Sequence, residues 1–384
     1  MKTLRRVVIV GNGIAGVTAA DTLRANGYDG DLTLVGDELH PAYSRPALSK
    51  ALLRDEADLT SHRLPPPTHG AVELLGVSAS GLDVEGRVVL LDDGERLPYD
   101  GLVIATGCRA RRLGADTPEE SDVAGELTLR TLDDAWLLRD RVSHRPTVVV
   151  VGGGPLGMEI ASGCLDAGCE VTLVSQGPPL ALQLGSHLSN IFVTAARARG
   201  LRVVTTAGAH LARDGDETRV RLADGTVLEA GLVVTAVGDL PNTEWLATSG
   251  LLRGGVLEVD DRGRVRPEVV AAGDVAAVPT PHGVRRVPLW SASIEQSRVA
   301  AAALLHGDEA PRLDSRPYFW TEQFGLSLKA VGHLPLQGAP VLLDGDPLDG
   351  RVLLRWEHAG SVAAAALNYR IPIPKLRRLC ETAA

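Results

Sequence analysis

Two stretches of this chain repeat one local design, and few folds can hold it twice. Residues 5–27 read RRVVIVGNGIAGVTAADTLRANG. A β-branched run at 7–10 turns through Gly11, Gly13 and Gly16 into an alanine-rich helix. Residues 146–176 read PTVVVVGGGPLGMEIASGCLDAGCEVTLVSQ, predicting a strand at 147–151, a turn through Gly152, Gly154 and Gly157, a helix, and a strand at 170–174. The spacing has a mechanical basis. The first glycine makes a tight turn, the second lets a pyrophosphate approach the backbone, and the third lets the helix pack against the strand with its N-terminal amides facing the phosphates. Such a turn alone also suits a strand–helix loop with no ligand. Two complete copies point to two dinucleotides bound by two separate domains.

Other strand ends extend the pattern. DLTLVGDE (31–38) places Asp37 and Glu38 about 20 residues beyond the first turn, where a carboxylate accepts hydrogen bonds from a ribose. YDGLVIATGCRA (99–110) runs into Ala105, Thr106 and Gly107, and GLVVTAVGDLPN (231–242) reaches Gly238; both suit places where backbone comes close to a ligand or to another segment. EVVAAGDVAAV (268–278) puts Asp274 at a strand end ahead of an expected helix, as a helix cap or as a ligand for a sugar hydroxyl.

A length of 384 residues exceeds one ordinary core and favours two or three domains. The net charge of −9 argues against a whole-protein field for nucleic acid or an anionic membrane. No apolar run is long enough for a membrane span, and MKTLRRVVIVGNG lacks the apolar stretch and cleavage site of a signal peptide. Four cysteines form no disulfide framework, no metal site is expected, and the chain reads as cytoplasmic. Lysine occurs only at Lys2, Lys50, Lys329 and Lys375, so Lys50 stands out where arginine is the usual cation.

VGDE…YSRPALSK, TLRTLDDA, AAGDVA, WSASIEQSRVAA and YFWTEQFGLSLKAVG, in this order, resemble the FAD- and NAD(P)H-dependent ferredoxin reductases of the pyridine nucleotide-disulfide oxidoreductase superfamily. These reductases serve cytochrome P450 and ring-hydroxylating dioxygenase systems. The resemblance implies an α/β protein with two Rossmann-like dinucleotide-binding domains and a small α+β C-terminal domain. The boundaries would be FAD binding at 1–112 and 240–312, NAD(P)H binding at 113–239, and an interface domain at 313–384. It implies FAD on Gly11, Gly13, Ala15, Gly16, Asp37, Lys50, Ala79, Arg130, Asp274 and Trp290, with Arg45 along the cofactor and Lys50 near the isoalloxazine. Trp320 would line the flavin or nicotinamide pocket, or serve as a core aromatic of the small domain. Glu159 matches a glutamate near the nicotinamide–flavin contact; a first-turn glutamate favoured by the helix dipole is the alternative. Hydride passes from nicotinamide to flavin N5 in such enzymes, and single electrons leave for an iron–sulfur ferredoxin, so YSRPALSK needs no redox cysteines.

Cys164 and Cys169 keep the gap of a redox pair, but they fall at the end of the second dinucleotide helix, where two buried structural thiols are expected. After CEVTLV the chain has Ser175, neither the acid of an NADH site nor a small residue backed by arginine, with no basic residue before Arg197. NADH is expected, with NADPH possible. An acidic ferredoxin partner would need a local basic face, from Arg109, Arg111 and Arg112 or from Arg370, Lys375, Arg377 and Arg378. The competing expectations are a flavoenzyme acting directly on a small molecule and a non-catalytic redox-sensing flavoprotein.

Overall fold

A computed structural model describes residues 4–50, 63–113, 125–214, 217–335 and 338–381. Contacts divide the chain into two compact units: Met1–Ser44, Thr60–Arg109 and Leu240–Pro317 form one, and Arg45–Leu59, Ala110–Asp239 and Tyr318–Ala384 the other.

The first unit is built on a six-stranded sheet in the order Arg264–Arg266, Val269–Ala271, Gly101–Ile104, Arg6–Val10, Asp31–Gly36, Val72–Leu75. All neighbours are parallel except the first pair. Alternation along Arg6–Val10 explains its unbroken apolar run. Val7 and Ile9 pack with Ala19, Ala20 and Leu23 of the helix Ile14–Ala25 and with Ala300, Ala301 and Leu304 of the helix Trp290–His306. Val8 and Val10 enter a second cluster with Leu82, Val89 and Leu91, from a small antiparallel sheet. Both faces are buried, as parallel sheets require.

A second parallel sheet organises the other unit, in the order Arg202–Thr205, Glu170–Ser175, Thr147–Val151, Leu232–Thr235, Glu126–Leu127. Val149, Val151, Val174 and Val233 pack with Val220, Leu222 and Leu228 of a three-stranded antiparallel ribbon. The helix Leu132–Ser143 starts with a reciprocal cap: Asp134 N–H donates to Thr131 Oγ1 at 3.1 Å, and Thr131 N–H to Asp134 Oδ2 at 2.9 Å. This accounts for TLDD, since Thr and Asp at that spacing satisfy each other's exposed amides.

The C-terminal segment adds a five-stranded antiparallel sheet, ordered Tyr318–Gln323, Leu326–Val331, Ser361–Leu367, Arg351–His358, Val341–Asp346. Four consecutive alanines, Ala363 to Ala366, are fully buried, and Leu376 of the helix Ile373–Arg378 packs against Ala364 and Ala366. Among the described residues no helix is long and apolar enough to cross a membrane, and no cluster of His, Cys, Asp and Glu could hold a metal ion.

One sequence expectation is corrected. Asp274 precedes a strand, Ala276–Thr280, and not a helix. The alternation Ala276–Val278 after the turn pairs with Leu257–Glu258 on one side and Gly283–Arg286 on the other. Asp274 therefore caps no helix, and the cap reading falls away.

Candidate functional site

In the first unit, the C-terminal ends of three adjacent parallel strands bring three segments to one sheet edge. Gly11 has φ +117°, and a Cβ there would overlap the carbonyl oxygen of Ala105. A Cβ on Gly16 would overlap the carbonyl of Gly11. No atom outside its chain neighbours lies within 4 Å of the Cβ position of Gly13, which is the N-cap of the helix Ile14–Ala25 with no side-chain cap. The first turn of this helix carries no acidic residue. An open, uncapped helix N-terminus with close-packed glycines on either side fits the pyrophosphate of FAD.

Ala15 packs beside this turn and lies 2.9 Å from the Cβ position of Gly273, which sets Asp274 next to the same helix start. Thr106 Oγ1 donates to Asn242 O at 2.8 Å, and the Asn242 amide donates to Thr106 O at 2.9 Å, fixing the loop that carries Gly107 at φ +64°. Glu38 follows the strand Asp31–Gly36, and Tyr43 Oη–H donates to its Oε2 at 2.5 Å. Asp37 precedes it. Val77 N–H donates to Gly36 O at 3.1 Å, which draws the strand that begins at Ala79 toward this end. Trp290 starts the helix whose Ser293 and Gln296 contact Asp274 and Gly273.

The second unit repeats the turn. Gly152 has φ +125°, and a Cβ would overlap Ala236 O; a Cβ on Gly157 would overlap Gly152 O. Gly154 is the N-cap of the helix Pro155–Asp166, again with no side-chain cap, and faces only Gln183 Nε2 at 3.9 Å. Ser175 ends its strand buried, its hydroxyl donating to Gly177 O at 2.7 Å and lying where a Cβ on Gly153 would go. Gly238, at φ +112°, accepts from Arg111 N at 3.0 Å.

Glu159 is the hub of this unit. It belongs to the helix Pro155–Asp166 and is 4% exposed. Its Oε2 accepts from Ser49 Oγ and, at 2.9 Å, from Lys50 Nζ; its Oε1 accepts from Thr321 Oγ1 at 2.5 Å. Gln323 Nε2 in turn donates to Thr321 Oγ1 at 2.9 Å. The Lys50 ammonium also donates to Pro46 O at 3.3 Å and stands 5.7 Å from the centroid of Trp320, which stacks on Tyr318 at 5.6 Å and 15°. Three donors and the ion pair hold this buried carboxylate in place, and either partner of the pair alone would be costly to bury. Of the three N–H donors on Lys50, two have acceptors among the described residues, leaving one for a ligand. Arg45 Nη1 donates to Arg130 O at 2.9 Å, tying those two positions together.

The unit thus brings Arg45 to Arg130, and Lys50 to Glu159 and Trp320. Ser49, Thr321, Tyr43, Ser293 and Gln296 escaped sequence reasoning. The signal for two of them was adjacency: Ser49 precedes Lys50 and Thr321 follows Trp320.

The cysteines form no redox pair. No disulfide joins any of the four, and Cys164 and Cys169 are buried, with the Cys169 thiol donating to Val142 O at 3.7 Å. The helix ends at Asp166, and Gly168 turns the chain with φ +86°. Burial pushes the Cys164 thiol up to about 12, with Cys169 beside it adding less, and burial also raises Cys169.

A family model described as "Pyridine nucleotide-disulphide oxidoreductase" matches residues 5–300. The chain is 34% identical over 372 residues to the ferredoxin--NAD(+) reductase component of the biphenyl dioxygenase system of Paraburkholderia xenovorans (strain LB400), covering 94% of this chain and 90% of that protein. The crystal structure of the ferredoxin reductase for the CYP199A2 system from Rhodopseudomonas palustris is similar with a TM-score of 0.85 at 33% identity, over 95% of this chain and 91% of that one. The covalent putidaredoxin reductase–putidaredoxin complex is similar with a TM-score of 0.86 at 28% identity, over 98% and 92% of the respective chains.

Proposed function

The chain belongs to the pyridine nucleotide-disulphide oxidoreductase family, and from that premise we propose that it is an FAD-dependent NAD(P)H:ferredoxin reductase serving an oxygenase or cytochrome P450. The observation that carries this proposal is a chain with two open glycine turns whose cysteines form no disulfide and whose only closely spaced pair is buried. With no disulfide among the cysteines, electrons supplied by a bound nicotinamide would need an acceptor outside this chain. The proposed division is FAD on the unit with Gly11, Gly13, Gly16 and Asp274, and nicotinamide on the turn of Gly152, Gly154 and Gly157.

When bound, FAD supplies the chemistry that joins a two-electron hydride donor to a one-electron acceptor. The protein supplies placement. Glu159 holds the Lys50 ammonium in a fixed position, and Ser49 and Thr321 hold Glu159, so the cation meets its ligand without first losing freedom. With 15% of the lysine side chain exposed, water screens this charge little. Trp320 and Tyr318 form a flat wall beside it.

For the nicotinamide we propose NADH. Ser175 is turned into the protein and offers no cation to a 2′-phosphate. For the partner we propose an acidic ferredoxin against exposed Arg370, Lys375 and Arg378, on and beside the helix Ile373–Arg378. Four free thiols agree with a reducing, cytoplasmic setting.

The test is NADH-driven reduction of purified two-iron ferredoxins by wild type and by Lys50→Gln. Wild type should carry one FAD per chain. The variant should keep its flavin at a measurable cost in thermal stability, since Glu159 loses its cation, while flavin reduction slows by about tenfold to a hundredfold, the scale of a lost charge-assisted contact. A colourless protein that takes up no FAD would end this proposal.

A further inference from the structure

We propose that Cys108 is a positioning residue of the FAD site, its thiol aiming the Asp274 carboxylate at a sugar hydroxyl of the cofactor. The proposal rests on the reading of this unit as the FAD domain.

Asp274 is held from four directions within one unit. Gly273 N–H donates to Gln296 Oε1 at 2.8 Å, and Arg286 Nη1 donates to Asp274 O at 3.1 Å, which fix the backbone. Cys108 Sγ–H donates to Oδ2 at 3.6 Å, and the one proton of Ser293 Oγ is shared between Oδ1 at 3.3 Å and Leu289 O at 3.2 Å. Each oxygen thus has a hydroxyl or thiol donor beside it, and a carboxylate oxygen accepts more than one hydrogen bond. A carboxylate so arranged takes further O–H donors and rejects acceptors, and a polyol chain is a row of such donors.

The surroundings say which ligand that is. Gly273 packs against Ala15 at the start of the helix after the first glycine turn, and Ala105, three residues before Cys108, packs against Gly11 in the same turn. Cys108, Asp274 and the turn therefore share the carboxyl edge of neighbouring parallel strands, where open α/β sheets bind their ligands. Cys108 is 6% exposed, so its thiol meets the carboxylate with little competition from water.

The experiment measures the rate of FAD release from the holoprotein, by recovery of flavin fluorescence, in wild type, Cys108→Ala, Cys108→Ser and Asp274→Asn. Loss of the donor in Cys108→Ala should speed release about fivefold, and Cys108→Ser, which restores a donor, should release FAD within about twofold of wild type. Should the alanine variant not fold, Cys108→Val fills a similar volume without a donor and makes the same comparison. Equal acceleration in the serine and alanine or valine variants would mean that packing alone matters, and the proposal falls. Unchanged release in Cys108→Ala with faster release in Asp274→Asn would also overturn it. Unchanged release in Asp274→Asn would instead remove Asp274 from the FAD site and with it the domain reading beneath.

Discussion

The two glycine turns agree at all three glycines and differ in the residues beside the second and at the end of the next strand. In both, a carbonyl of the neighbouring strand occupies the space of the first Cβ, and the turn's own carbonyl occupies that of the third. Around the middle the copies part. The first holds Asn12, whose amide donates to Glu73 Oε2 at 3.0 Å, and an acid follows its second strand as Glu38, gripped by Tyr43. The second holds Gly153 against Ser175, which spends its hydroxyl on Gly177. Backbone sterics fix the shared positions, whereas different side-chain partners occupy the others.

The strongest way to break this comparison is to fill the shared positions. Gly11→Ala and Gly152→Ala each place a methyl group into a backbone carbonyl at a φ that alanine avoids, at a cost of about 3 kcal/mol or more. Thermal unfolding should register both. Their ligand phenotypes should separate: the first loses flavin absorbance, and the second keeps it while flavin reduction by NADH fails. A Gly152→Ala protein that loses its flavin while reducing normally on reconstitution would show the assignments are exchanged.

A smaller effect sharpens the difference at Ser175. Glutamate there supplies an acceptor for a ribose 2′-hydroxyl and repels a 2′-phosphate, so Ser175→Glu should raise the NADH over NADPH ratio of kcat/KM by about tenfold to a hundredfold. Most of this should lie in KM, since the contact is remote from the hydride. An unchanged ratio would mean that the nicotinamide does not bind at this turn.

The smallest expected effect concerns the thiols behind the second turn. Cys164→Ala with Cys169→Ala should leave turnover within about twofold, because neither thiol is exposed or paired. The pH dependence has a definite sign. The unfolded chain releases a cysteine proton above about 8.5, while folded Cys164 keeps its proton to about 12 because it is buried. Above the first value the folded state binds more protons, so stability falls as pH rises toward the second. Denaturation midpoints measured across that window should fall less steeply in the double variant.

Both turns were legible in sequence because their determinants are local: a β-branched run, three glycines, a helix. Asp274 was misread in part, since AAGDVAAV suits a capped alanine helix until Leu257–Glu258 and Gly283–Arg286 claim Ala276–Thr280 as a strand. For Ser49 and Thr321 the sequence offered only adjacency to Lys50 and Trp320, because their partnership with Glu159 spans 110 and 162 residues.

That same carboxylate has a consequence for how the protein is made. Glu159 draws its donors from residues 49 and 50, synthesised long before it, and from Thr321, synthesised long after. A nascent chain can therefore close the second glycine turn early, yet one oxygen of a buried carboxylate waits for a donor until the final sheet emerges. Ribosome stalling or truncation anywhere before Thr321 leaves an intermediate in which Glu159 lacks this donor and its helix lacks the strand Tyr318–Gln323. Such an intermediate should be the form that proteases and chaperones recognise, and completing the last sheet is what retires it.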